Sequence, residues 1–181
     1  TNRQIGRVET EGSAAADANV EKAVLREAVL LQMTWNGAPT IYYGDEAGVT
    51  GWTDPDNRRT YPWGREDREL IAFHKAAISL RKEYPVLRHG SLKQLYGAYG
   101  VLAYGRFDEK EKILVALNNT EEIRTVSIPV WQMGVQTEGT LQNCLMTNRD
   151  GFTVFGFSYP VRNGNVLLSL PPKSAMAARE I

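Results

Sequence analysis

Hydrophobic positions change their period near residue 90. Before it they recur every three to four residues, and after it they alternate. Val20, Ala23, Val24, Leu25, Ala28, Val29, Leu30, Leu31 and Met33 cover more than one face of a helix, the pattern of an element buried on several sides. That helix is predicted from Asp17 or Asn19 to Trp35, since either residue offers a side-chain oxygen to the free N–H groups of the first turn. Asn36-Gly37 stops it and Pro39 prevents a restart. Thr40-Ile41-Tyr42-Tyr43, β-branched then aromatic, predicts a strand. Leu70, Phe73, Ala77, Leu80 and Tyr84 lay one apolar stripe along a second helix over 65–84, ended by Pro85. From Ser91 on, strands are predicted over 91–96, 101–107, 112–118, 123–130, 139–146, 152–158 and 165–170, with a last near 174–180. Asn118-Asn119, the Asn148–Gly151 segment and Asn163-Gly164 supply turns. Short strands at this spacing predict an antiparallel β-sandwich.

Residues 9–17 read as a flexible loop, and 44–64 as a long loop rich in Gly, Asp, Pro and Arg. Loops of about twenty residues are functional or disordered. A lone strand between two helices cannot pair its own backbone groups. The order helix, strand, loop, helix fits the end of a larger α/β fold, and in a βα barrel the loop after a strand faces the active site. The expected fold is therefore an α+β fragment. Residues 1–89 are the incomplete C-terminal part of a (β/α)8 TIM barrel, holding its last helices and eighth strand, and residues 90–181 are an all-β sandwich domain. The chain opens Thr1-Asn2-Arg3 without Met, as expected of a piece of something longer.

Composition narrows the partners. The 181 residues carry 21 basic and 21 acidic side chains, so no polyanion-binding balance exists and nucleic acid is not an expected partner. No apolar run approaches the ~20 residues of a membrane span. Cys144 is the only cysteine, which excludes a disulfide framework. His74 and His89 have no second His or Cys at ligand spacing, so no zinc site is expected. Asp54, Asp56 and Asn57 lack the further oxygens of a calcium loop. No cofactor is expected. A neutral chain with one Cys fits the cytoplasm and a bacterial secreted protein equally.

Gly37-Ala38-Pro39-Thr40-Ile41-Tyr42-Tyr43-Gly44-Asp45-Glu46 resembles the eighth barrel strand of the α-amylase family of glycoside hydrolases. Asp54-Pro55-Asp56-Asn57-Arg58-Arg59 and Tyr61-Pro62-Trp63 resemble the loop that follows it, in the form of the neopullulanase, cyclomaltodextrinase and amylopullulanase branch. The segment from Ile78 to Leu87 is similar to the family's eighth helix. Leu114–Asn119 and Leu170–Ala175 resemble its C-terminal all-β domain, while 130–165 departs from the pattern. The resemblance implies retaining hydrolysis of α-1,4-glucosidic bonds in starch, pullulan or cyclodextrins. Its catalytic carboxylates belong to strands absent here, and Thr1-Asn2-Arg3 resembles the residues directly after the last of them. No catalytic residue is therefore carried over, and the isolated chain is expected to be inactive. The partners implied are an α-glucan oligosaccharide or polysaccharide and the missing N-terminal barrel.

What the resemblance does carry over is sugar binding. Its loop Asp and the Arg four residues later, matching Asp54 and Arg58, contact a donor-side glucose. A carboxylate accepts from sugar hydroxyls and a guanidinium donates in a fixed fork. Trp52 and Trp63 offer apolar plates by the same analogy. Each has a plainer alternative: Asp54 and Arg58 pairing only with each other, and the two Trp anchoring the loop. Asp45-Glu46 on a strand end point opposite ways and are not a catalytic pair. Tyr42 and Tyr43 are expected to pack in a core. The sandwich is either a structural cap or a carbohydrate-binding module, with Trp131, Tyr96, Tyr99, Tyr104 and Tyr159 as its aromatics. Exposed apolar surface left by missing neighbours predicts self-association through 17–45.

Overall fold

The alternation after residue 90 builds nine strands joined antiparallel in one sheet. They are β1 (Ser91–Ala98), β2 (Val101–Phe107), β3 (Lys112–Asn118), β4 (Arg124–Ile128), β5 (Gly139–Asn148), β6 (Gly151–Thr153), β7 (Ser158–Arg162), β8 (Asn165–Leu170) and β9 (Ser174–Glu180). Their spatial order is β1-β2-β3-β9-β5-β7-β8-β4, with β6 pairing β5 alone. This computed structural model describes residues 5–18 and 20–181. Asn19, one of the two expected helix caps, and Thr1-Asn2-Arg3 lie outside the described residues.

β1 and β4 end the strand order on opposite sides, yet Leu95 of β1 and Val126 and Ile128 of β4 share one core with Leu114, Leu141, Val166 and Met176. The sheet therefore curls over its own face as a sandwich approaching a barrel. The 3-10 turn Val130–Met133 fills the opening, touching β1, β2 and β8. Gly105 admits it, because a Cβ there would meet Met133 Sδ at 2.5 Å. The sequence pattern differs in two places. The strand expected over 123–130 stops at Ile128, and the strand expected over 152–158 is replaced by β6, a loop and β7. β7 contains Pro160, opposite Thr140 of β5. Of β7, only Val161 and Arg162 pair with β8. The Pro160 stretch thus has a sheet neighbour on one side only, where a residue without N–H is tolerated.

The chain divides into two compact units, Thr1–Glu21 with Thr40–His74, and Lys22–Pro39 with Lys75–Ile181. The second contains the sheet. There α2 (Lys22–Thr34) lies on β9 and β5, burying Ala23, Val29, Leu30 and Met33. Leu25 and Leu31 are half-buried and Ala28 is exposed, so this helix is buried on one side and not on several. Arg26 anchors it, donating from Nε to Thr147 Oγ1 at 2.7 Å and from Nη2 to the Asn148 carbonyl at 2.6 Å.

The last carbonyls of a helix have no partner within it. Two guanidiniums satisfy them here. Buried Arg106 donates to the carbonyls of Thr34 (2.6 Å), Leu87 (2.9 Å), Val86 (3.1 Å) and Gly90 (2.9 Å). Arg81 donates to Met33 (2.8 Å) and Gly37 (2.6 Å). Their positive charge also complements the negative helix ends. A short helix α4 (Val86–His89) receives Arg106 as well, so Pro85 starts a new turn after α3 (Arg68–Glu83) has ended. α3 is capped by Asp67, whose Oδ1 accepts from Leu70 N at 3.1 Å.

In the first unit, α1 (Ile5–Glu11) and a 3-10 turn at Ser13–Asp17 occupy the stretch expected as a loop. Thr40–Tyr43 is not a strand. No described strand pairs with it, and β-propensity without a partner strand does not make a sheet. Tyr42 and Tyr43 are correspondingly not core residues. They stay 45% and 47% exposed, with ring centroids 4.8 Å apart. No helix among the described residues is long and apolar enough to cross a membrane.

Candidate functional site

The long loop is braced from within. Gly44 adopts a left-handed conformation, and its N–H donates to Glu46 Oε2 at 3.1 Å. Asp45–Ala47 form a 3-10 turn, so Asp45 and Glu46 sit on a turn and not on the strand end expected for them. Burial, and then the Glu46 charge, push the Asp45 carboxyl up. At Gly51 the chain passes so near its own return that a Cβ would lie 2.8 Å from the Asp56 carbonyl and 2.9 Å from Asn57 Cα.

Asp56 is the hub of this closure. Its Oδ2 accepts from Trp52 N at 2.8 Å and from Arg59 Nη2 at 2.8 Å, and the Ser13 hydroxyl donates to Oδ1. Arg59 reaches Asp17 at 2.9 Å as well. Arg59, then Ser13 and the Trp52 N–H, hold the Asp56 carboxyl down at about 2. No local sequence signal marks this pair. Its partners Ser13 and Asp17 lie some forty residues upstream, at separations of 43 and 42.

Asp54 and Arg58 come together in the open. Arg58 Nε lies 2.8 Å from Asp54 Oδ1, with the two side chains 60% and 68% exposed. The charges of Arg58 and Asp54 act on the Tyr42 phenol in opposite senses, Arg58 lowering its pKa and Asp54 raising it. Burial, and then Tyr43, raise that phenol's pKa. The Tyr43 hydroxyl donates to the Arg59 carbonyl at 2.9 Å. A cavity of about 380 Å³ is bordered by Tyr42, Tyr43, Asp45, Thr50 and Asn57.

The two tryptophans differ. Trp52 is half-buried and tied down, its indole Nε1 donating to the Gly12 carbonyl at 3.2 Å. Trp63 is 82% exposed and tilted against Tyr61, with ring centroids 4.5 Å apart. The loop thus presents an exposed ion pair with spare donors and acceptors and, elsewhere along it, an open indole face. That inventory suits a polyhydroxylated ligand with apolar C–H faces.

Elsewhere, among the described residues, no group of three His, Cys, Asp or Glu side chains is placed to hold a metal ion. His74 is buried, with Nδ1 2.9 Å from the Leu70 carbonyl of its own helix. Of the sheet aromatics, Tyr104 is fully buried, and Tyr96 and Tyr159 pack on the core. Trp131 and Tyr99 are exposed.

Comparison with known proteins agrees with this fold. The chain is 34% identical over 177 residues to an amylopullulanase of Thermoanaerobacterium thermosulfurigenes, covering 92% of this chain and 9% of that protein. It is 38% identical over 113 residues to a cyclomaltodextrinase of a Bacillus species, covering 60% of this chain and 20% of that protein. Among solved structures, an Anoxybacillus α-amylase superposes with a TM-score of 0.74 at 27% identity, over 88% of this chain and 32% of that one. No family model matches the chain. By these similarities the chain resembles a part of enzymes of the α-amylase family. It spans 9% and 20% of the lengths of the two relatives.

Proposed function

We propose that the chain is the C-terminal portion of an α-glucan-degrading glycoside hydrolase, in which residues 1–89 complete a (β/α)8 barrel and residues 90–181 form its sandwich domain. In this reading the parent enzyme performs retaining hydrolysis of α-1,4-glucosidic bonds in starch, pullulan or cyclodextrins. The observation that carries the proposal is similarity over 92% of the chain to an amylopullulanase, which takes in an open Asp54–Arg58 pair.

The loop's part is substrate binding. Asp54 accepts from the hydroxyls of a donor-side glucose and Arg58 donates to its oxygens. The two are held 2.8 Å apart and pre-oriented before the sugar arrives. Trp63 covers an apolar sugar face, and Trp52 fixes the loop that carries both. Bond cleavage needs two carboxyl groups ~5–5.5 Å apart across the scissile bond, and those come from the rest of the parent enzyme. Within this loop Asp56 is committed to Arg59, Ser13 and Trp52, so it has no proton to give near neutral pH.

The purified chain is therefore inactive on soluble starch and pullulan, yet its loop amides respond to maltotriose. Turnover above blank contradicts the first statement, and silent loop amides contradict the second. Trp35, Tyr42 and Tyr43 keep large apolar surface exposed, and the chain self-associates through 17–45. A clean monomer by sedimentation velocity contradicts that.

A further inference from the structure

The sheet-bearing unit holds a cleft of about 390 Å³, lined by α3 on one side and by β5 and Arg179 on the other. Its volume lies in the range of small-ligand sites. Phe155 lines it and is 81% exposed. That exposure is imposed from below, because Asn143 donates its backbone N–H to the Phe157 carbonyl at 2.8 Å and its Nδ2 to the Phe155 carbonyl at 3.2 Å. The loop holds an apolar ring out in water.

The polar lining is mixed in sign. Arg179 is a donor only. It lies 5.9 Å over the Tyr84 ring and makes one long bond, 3.4 Å, to Gln142 Oε1. Glu83 is an acceptor only, and Gln142 is both. The two charges oppose binding of a free anion and of a free cation alike. A neutral ligand that both donates and accepts meets no such penalty. Beneath the loop lies Asn143 Oδ1, which is buried and accepts no hydrogen bond from the described residues. Nδ2 faces a carbonyl, so the amide cannot turn over to cure this. Buried acceptors left unpaired cost free energy.

We propose that this cleft is a second sugar-binding site, in which a glucose unit of an α-glucan lies with its apolar face on Phe155. Its hydroxyls donate to Glu83 and accept from Arg179. One hydroxyl displaces the edge of the Val154–Gly156 loop and donates to Asn143 Oδ1. The choice of α-glucan among neutral polyols rests on the functional reading above. The cleft itself lies in the other unit from the Asp54–Arg58 loop.

The test is a maltotriose titration of the 181-residue chain, followed by backbone amide NMR. The Gln142–Cys144 and Phe155–Gly156 amides shift and saturate at about 1–10 mM. Phe155→Ala, an exposed position, weakens that response about tenfold or more and leaves the response at Asp54–Arg59 unchanged. Arg179→Ala behaves alike. Silence at 142–144 and 155–156, an unaltered response in Phe155→Ala, or an equal response to cellotriose overturns the proposal. If the Asp54–Arg59 amides still respond in that event, the second site fails while the first reading stands. If they too are silent, both fail.

Discussion

Arg58 Nε and Asp54 Oδ1 sit 2.8 Å apart in an exposed pair, whereas one residue further on Arg59 grips Asp56, whose side chain is only 10% exposed. Two acid–base pairs in one loop thus do different jobs. The sheltered one shapes the loop, and the open one faces solvent. An exposed ion pair stabilises a fold by ~1 kcal/mol at most. Asp54→Asn and Arg58→Ala should therefore shift thermal stability by no more than about 1 kcal/mol. Both should abolish the maltotriose response of the loop amides. Thermal unfolding run beside the NMR titration checks both halves.

The brace behaves differently under acid. The Asp56 carboxyl is held at about 2 in the fold, against an ordinary value of 3.8. A carboxyl lowered by folding contributes stability above its unfolded value and loses it as pH falls through its folded one. The loop should therefore stay closed at pH 4 and open toward pH 2, read as faster exchange of the Trp52 N–H that Asp56 accepts. Asp56→Asn should remove this acid transition and leave the loop looser at every pH.

Gly51 tests the same closure without charge. Gly51→Ala puts a methyl against backbone, at 2.8 Å from the Asp56 carbonyl. Backbone cannot give way as a side-chain tip does. The expected result is a broadened Trp52–Arg59 amide pattern, with the sheet amides of β2, β3 and β9 unchanged.

Arg106 is the central tie of the sheet-bearing unit. Arg106→Met removes a guanidinium donor from five carbonyls, of which Leu87 alone keeps another, from Arg81. The expected loss is about 3–5 kcal/mol, a fall of roughly 10 °C in Tm for a domain of this size. Differential scanning calorimetry reads it directly.

Tyr104 supplies an alkaline limit. Its hydroxyl lies 2.6 Å from Thr34 Oγ1, and burial pushes its pKa from 10.0 up to about 12, against the opposing pull of Thr34 and Arg106. A proton held more tightly in the fold stabilises it below the unfolded pKa. That stability is lost as pH rises through the folded value. Stability should decline between pH 10 and 12, and Tyr104→Phe should flatten the decline.

Alternation after residue 90 was enough to read a sandwich, because period-two burial survives in β4, β5 and β8. β7 was hidden, since Pro160 disqualifies a strand unless the sheet leaves one side of it open. Thr40–Tyr43 misled in the opposite sense, because a local preference is not a partner. In the loop, the Asp54–Arg58 and Asp56–Arg59 spacings look alike. Ser13 and Asp17, far upstream, decide which pair is sheltered, and no local pattern announces that. The cleft beside Phe155 was equally illegible, since α3, β5, β9 and the Val154–Gly156 loop meet only through the fold.

The proposal that these residues are one portion of a larger α-glucan hydrolase is tested most directly by the coding DNA upstream of Thr1. The expected result is an open reading frame continuing upstream through several hundred codons of alternating strand and helix pattern. A start codon or a signal-peptide cleavage site immediately before Thr1 contradicts it.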